Sequence, residues 1–133
     1  MTVVLDSSVL IAAHLSRAGT CAELYEEVLA RHDLVISQYI VDEVRRNLAR
    51  KFLFPDALID RATASMLRAA RLVQPSDVPA GACRDPNDLP ILGTAMAGNA
   101  TLLVTVDNDL LVLETYGETR VVNPGKFWEF ISF

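Results

Sequence analysis

The feature that most narrows the fold is a stretch at the start of the chain, Val3-Val4-Leu5-Asp6-Ser7-Ser8-Val9-Leu10-Ile11. Its apolar run has no polar face, ends on a carboxylate, and is followed by small hydroxyl residues and more apolar ones. Such a run suits a strand covered on both sides, as strands are inside a parallel sheet. Asp6 then falls where strand gives way to helix. That position caps the helix expected over Ser7–His14. In open α/β sheets it also faces the crevice where ligands bind. The arrangement returns at Leu102-Leu103-Val104-Thr105-Val106, which closes on Asp107, with Asp109 just after.

Between these two strands the apolar spacing alternates between strand and helix. Gly19 breaks the first helical pattern, and Thr20 can cap a second helix whose apolar positions are Leu24, Val28 and Leu29. Leu34 to Ser37 reads as a short buried strand. A helix follows from about Gln38 to Phe52, with Ile40, Val41, Val44, Leu48 and Phe52 on its apolar face. Pro55-Asp56 opens another helix to about Arg71, built on Leu58, Ile59, Met66 and Leu67, and Leu72-Val73 fits a small edge strand. Pro75, Pro79, Gly81 and Pro86 mark a loop from Gln74 to Asn87. Leu89 to Ala97 is apolar or small nearly all round and so predicts a buried helix, with Pro90 in its first turn and Gly98-Asn99 at its end. A strand at Arg120–Val122 and a final helix from Pro124 complete the chain, the aromatic residues of that helix serving as packing. Alternation throughout predicts right-handed crossovers and a central, mostly parallel sheet in a three-layer α/β/α sandwich.

Length and composition bound what such a chain does. At 133 residues a single domain over 1–133 is expected, and 51% hydrophobic residues supply a proper core. No apolar run approaches the ~20 residues that span a bilayer, and no secretory signal is visible at the N-terminus. Cys21 and Cys83 form neither a metal-ligand spacing nor a disulfide framework, so a reduced, cytoplasmic setting without membrane attachment is expected. The net charge of −5 hides an asymmetry. From Arg45 to Arg71, seven basic residues stand against Asp56 and Asp60, a local +5. A basic helical stretch beside an acidic pocket is what a metal-dependent enzyme acting on a polyanion needs, although a solvated helix face has the same composition.

Four acidic positions stand out: Asp6, Glu43, Asp88 (or Asp85) and Asp107 (or Asp109). Asp42, beside Glu43, has Arg45 and Arg46 at i+3 and i+4 and is the more obviously neutralised of the two. Carboxylates brought close together repel and hold their protons unless a cation lies among them. An all-oxygen set suits a hard ion such as Mg²⁺ or Mn²⁺, and that chemistry serves phosphodiester hydrolysis. Neither His14 nor His32 lies in a zinc-like motif. There is no phosphate-binding glycine-rich loop and no nucleophile elbow. A phosphoryl-transfer domain of receiver or phosphatase type also begins with a strand-end aspartate. It wants a second acid beside the first and a lysine after a late strand, whereas here Ser7 and Ser8 follow Asp6 and the late lysine, Lys126, falls in the last helix.

Across essentially its whole length the sequence resembles PIN-domain proteins, in particular the small prokaryotic toxins of VapC type. The resemblance rests on four stretches in order: Val3 to Leu10, Ser37 to Val44 with Glu43, Asp85 to Ala95, and Leu103 to Leu110. It implies a Mg²⁺- or Mn²⁺-dependent endoribonuclease, often a homodimer silenced by a cognate antitoxin protein. It also implies that Asp6, Glu43, Asp88 and Asp107 are the metal-site acids, with Ser8 and Thr105 as hydrogen-bonding support. Asp88 is preferred over Asp85 because Asp88-Leu89-Pro90-Ile91 meets the buried helix where the family's acid does. Asp107 is preferred over Asp109 because it directly follows its strand. Position 8 is Ser where many relatives have Asn. The alternative is a PIN fold that has lost its chemistry and binds RNA or protein.

Overall fold

A computed structural model describes residues 1–16 and 18–132. Strand β1 (Thr2–Leu5) leads into helix α1 (Ser7–Leu15), followed by α2 (Thr20–Arg31), β2 (Asp33–Ile36), α3 (Gln38–Arg50), α4 (Asp56–Ala69) and the two-residue β3 (Arg71–Leu72). After a long loop, a 3₁₀ turn (Pro86–Asp88) runs into α5 (Leu89–Ala97). Then come β4 (Leu102–Val104), α6 (Asn108–Leu111), β5 (Thr115–Tyr116), β6 (Thr119–Val122) and α7 (Pro124–Ile131).

The sheet order is β3-β2-β1-β4-β6-β5. Every pairing is parallel except β5 with β6, a short antiparallel hairpin that the sequence pattern did not announce. Val3, Val4, Leu5, Leu102, Leu103 and Val104 are all fully buried, so helices cover both faces of the central strands and the three-layer α/β/α arrangement follows. The chain leaves β1 toward β2 on one side, and β4 later pairs with β1 on the other. The β1–β4 boundary is therefore the topological switch point, where the crevice of an open α/β sheet lies.

Departures from the sequence reading are local and have local causes. Helix α3 stops at Arg50 rather than Phe52, and Phe52 is 42% exposed rather than on the apolar stripe, because Leu53 takes a left-handed conformation (φ 55°) that turns the chain away. Leu29, Leu58 and Leu67 face solvent, whereas Val28, Ile59 and Met66, on the same helices, are buried. The edge strand is Arg71–Leu72 rather than Leu72-Val73, and β4 ends at Val104, leaving Val106 exposed. The long loop is held to α5 at Gly93, whose missing Cβ makes room for the Ser76 carbonyl. Ser76 N–H in turn donates to the Gly93 carbonyl at 2.9 Å. A side chain at position 93 would push the loop, and the acids that follow it, off the helix.

Candidate active site

Asp6 stands at the switch point and is 5% exposed. Its backbone N–H extends the parallel ladder by donating to the Val104 carbonyl at 2.9 Å, which places the side chain over the end of β4. The carboxylate is surrounded by donors. Ser7 N–H reaches Oδ1 at 2.8 Å, and the Ser8 and Thr105 hydroxyls reach Oδ2 at 3.0 and 2.7 Å. Burial pushes the Asp6 pKa up, the hydrogen bonds from Thr105, Ser8 and Ser7 pull it back, and the nearby Asp107 charge adds a small upward push. Taking a carboxylate out of water costs several kcal/mol. Three donors, at about 1.5–3 kcal/mol each to a charged group, offset part of that. Asp6 is thus both the cap of α1 and a buried carboxyl rich in donors.

The Thr105 hydroxyl also accepts from Asp107 N–H at 3.0 Å, so one side chain ties the two strand-end aspartates together. Asp107 caps α6 by accepting from Asp109 N–H at 2.9 Å. Asp88, at the start of α5, is treated differently from Asp6. Its Oδ2 is buried with no hydrogen-bond donor, and the side chain it meets at hydrogen-bonding range is the carboxyl of Asp107. Two carboxyls in contact need a proton between them. Desolvation, then this contact with Asp107, then the charges of Asp107, Asp6 and Asp85 push the Asp88 pKa up to about 8.

Glu43 enters through Ser7, whose hydroxyl donates to Glu43 Oε1 at 3.1 Å from the same residue whose N–H serves Asp6. Burial raises the Glu43 pKa and the Asp6 charge adds to it, against the Ser7 hydrogen bond and Arg46. Two cross-links position α3 against the turn that carries Asp88. The Tyr39 hydroxyl donates to the Asn87 carbonyl at 2.7 Å, and the buried Ser37 and Thr94 hydroxyls meet at 2.7 Å. Shared hydrogen bonds through Ser7 and Thr105, and the influence of their charges on one another, therefore link Asp6, Glu43, Asp88 and Asp107. Asp85 lies within electrostatic reach, but its Oδ1 accepts from Asn87 N–H at 3.0 Å, and Asp109 offers its backbone N–H to Asp107. Asp42 does not pair with Arg45 or Arg46. It accepts from Gln38 at 2.9 Å, while Arg45 reaches across to Asp60 at 2.7 Å and Thr63 at 2.8 Å.

Ser7, Tyr39, Ser37 and Thr94 escaped the sequence reading. Ser7 lies inside the first motif, but only the fold shows that Glu43, 36 residues away, is its partner. Cys83 escaped as well. It is buried beside the same acids, and burial followed by the charges of Asp88, Asp85, Asp107 and Asp109 pushes its thiol pKa up. Among the described residues, no three His, Cys, Asp or Glu side chains are already grouped as a metal-holding set. The donor chemistry nevertheless fits a hard cation: oxygen ligands only, excess negative charge, and one buried carboxylate oxygen with nothing to bond it. The basic stretch forms a shallow groove of about 390 Å³ along α3 and α4, lined by Arg45, Arg46 and Arg50 with Asp42 and Asp56.

A mostly parallel sheet with this order and a strand-end aspartate at its switch point can be set beside known proteins. The PIN-domain family model matches residues 2–109, and the chain belongs to that family. Among solved structures it is similar to a chain in VapBC2 from Rickettsia felis bound to a DNA fragment from their promoter. The identity there is 16%, the match covers 92% of this chain and 98% of that one, and the TM-score is 0.64. It is equally similar to a chain of VapBC-1 from nontypeable Haemophilus influenzae, at 19% identity, 94% and 99% coverage, and TM-score 0.64. No curated protein matches. Among the described residues, no helix is long and apolar enough to cross a membrane.

Proposed function

We propose that this protein is a Mg²⁺- or Mn²⁺-dependent endoribonuclease and the toxin of a toxin–antitoxin pair, working as a homodimer under the control of a cognate antitoxin. The observation that carries the reading is Asp88, whose buried Oδ2 has no donor and whose neighbouring charges are those of Asp107, Asp6 and Asp85, a situation that a divalent cation would relieve. Family membership and the VapBC structural neighbours support the toxin assignment.

Asp6, Asp88 and Asp107 would hold the ion, with Glu43 at its margin. When bound, the ion lowers the pKa of its water and stabilises charge on the phosphoryl and leaving oxygens. Thr105 and Ser8 keep Asp6 in one rotamer, and Ser7 holds Glu43 where it can orient a water or take its proton. Asp88 would give up its proton in favour of a bound cation. Arg46 and Arg50 in the neighbouring groove would hold backbone phosphates, whereas Arg45 is committed to Asp60 and Thr63.

A second reading, a PIN fold that binds RNA or protein without cutting it, draws on one observation: Asp6 is already saturated with donors, and no three acids stand grouped. One experiment separates the two. Purified protein is incubated with a mixed single-stranded RNA, with and without Mn²⁺, while Mn²⁺ binding is titrated by calorimetry. Metal-dependent cleavage that Asp88→Asn abolishes, well beyond the roughly 100-fold effect of losing an outer-shell partner, supports the nuclease. RNA binding with neither cleavage nor Mn²⁺ uptake supports the adaptor.

A further inference from the structure

A cavity lies beside the residues that hydrogen-bond Asp6 and Glu43. It encloses about 300 Å³ between the first turn of α1 and the end of α3, and is lined by Ser7, Ser8, Ile11, Asn47, Lys51 and Phe52. Ser7 and Ser8 are the residues whose hydroxyls serve Glu43 and Asp6, so an occupant of this cavity sits directly beside the reacting groups. Glu43, Asn47 and Lys51 follow one another at four-residue intervals along α3. They form a row that runs from acid through amide to cation. Asn47 donates its side-chain N–H to the Glu43 carbonyl at 2.9 Å, and among the described residues nothing donates to its Oδ1. Lys51 is exposed and pairs with no acid among the described residues.

The outer wall is Phe52. Among the exposed large hydrophobic side chains of the described residues it is the one aromatic, at 42% exposure. It is kept off the core by Leu53, which takes φ 55° while itself 81% exposed. Leucine adopts that conformation less readily than glycine, and here it closes the end of α3, with Phe54 N–H donating to the Leu48 carbonyl at 3.0 Å. Strain of this kind at the rim of a site points to a task for the residue it presents.

Resting on the nuclease reading, we infer that this cavity is a nucleobase subsite. An unpaired base flanking the scissile phosphate stacks on Phe52, its edge meets Asn47, and Lys51 holds the adjoining phosphate. A planar face, an amide edge and a cation within one small cavity are the elements of single-stranded RNA recognition. The inference gives the enzyme a local base preference and restricts it to unpaired RNA.

The test uses a short single-stranded oligoribonucleotide carrying 2-aminopurine, bound to the full chain with Ca²⁺ in place of Mn²⁺, and the cleavage of a random RNA pool with Mn²⁺. Phe52→Ala should weaken binding roughly 5- to 150-fold, the range that loss of one base–aromatic stack gives. It should also abolish the 2-aminopurine stacking signal, raise KM more than it lowers kcat, and flatten the base preference at the cut. Phe52→Trp should restore all four. An abasic nucleotide at the flanking position should cost the wild type as much as Phe52→Ala does and cost the variant nothing further. If the wild type cuts RNA and Phe52→Ala cuts it with the same KM and the same preference, the subsite is overturned and the nuclease assignment stands. If the wild type neither binds nor cuts RNA, both fall.

Discussion

Asp6 and Asp88 lie close enough for the charge of one to act on the other, and the fold gives them opposite surroundings. Asp6 is the more buried of the two but is met by a backbone N–H and two hydroxyls, which pull back part of the upward push that burial gives its pKa. Asp88 is less buried, yet its Oδ2 meets no donor and its neighbour is another carboxyl, so it keeps a proton up to about pH 8. Burial is the largest upward push on both carboxyls, and donors temper it at Asp6 but not at Asp88. Asp6 is a carboxyl whose acceptor sites the frame fills, and Asp88 is a group whose surroundings a cation would complete.

Activity and stability respond to this difference in ways that can be separated. The largest effect is expected on cleavage. Asp6→Asn and Asp88→Asn should both abolish it, measured as metal-dependent RNA hydrolysis. Stability should then divide them in sign. Without metal at pH 8, Asp6→Asn takes an acceptor oxygen from the three donors and should cost about 1–3 kcal/mol, or several degrees in Tm. Asp88→Asn removes a carboxyl repulsion and should raise Tm instead. Equal losses in both variants would erase the distinction.

The pH dependence follows from the same contrast. Asp88 has its ordinary pKa of 3.8 when unfolded and about 8 when folded. Between those values the folded chain holds a proton that the unfolded chain has released, so unfolding free energy declines as pH rises. The contribution is fully present below about pH 4 and is lost by about pH 8. Thermal melts in EDTA should therefore show Tm falling across this window relative to Asp88→Asn, and Mn²⁺ should flatten the difference. A smaller effect is expected for Thr105→Val, which leaves Asp6 Oδ2 one donor short and Asp107 N–H without its acceptor. About 1–3 kcal/mol should be lost on thermal unfolding. The smallest is Tyr39→Phe, at about 0.5–1.5 kcal/mol, with reduced cleavage because the turn bearing Asp88 is no longer tied to α3.

Much of the frame was legible because buried strands and amphipathic helices write their periods into the chain. The apolar runs at Val3–Leu5 and Leu102–Val104 mark the two central strands, and Asp6 and Asp107 mark their ends. Where the reading slipped, a backbone choice or a partner distant in sequence decided. Phe52 satisfies the helical spacing of α3, but the left-handed turn at Leu53 ends the pattern early. Asp42 has arginines at the right intervals, yet Arg45 finds Asp60 on the next helix. Chain spacing cannot register competition of that kind, since it shows only neighbours one turn away.

By itself the sequence determined the order of the helices and of the parallel strands, the two strand-end carboxylates and the kinship that the PIN-domain match expresses, because local hydrophobic patterning specifies these directly. Only the tertiary structure decided that Ser7 would join Asp6 to Glu43, that Thr105 would join Asp6 to Asp107, and that Asp88 would face a carboxyl rather than a donor. The physical reason is range. Apolar periodicity acts over a few residues, whereas hydrogen bonds and carboxylate repulsion act over a few ångströms between groups as many as 99 residues apart.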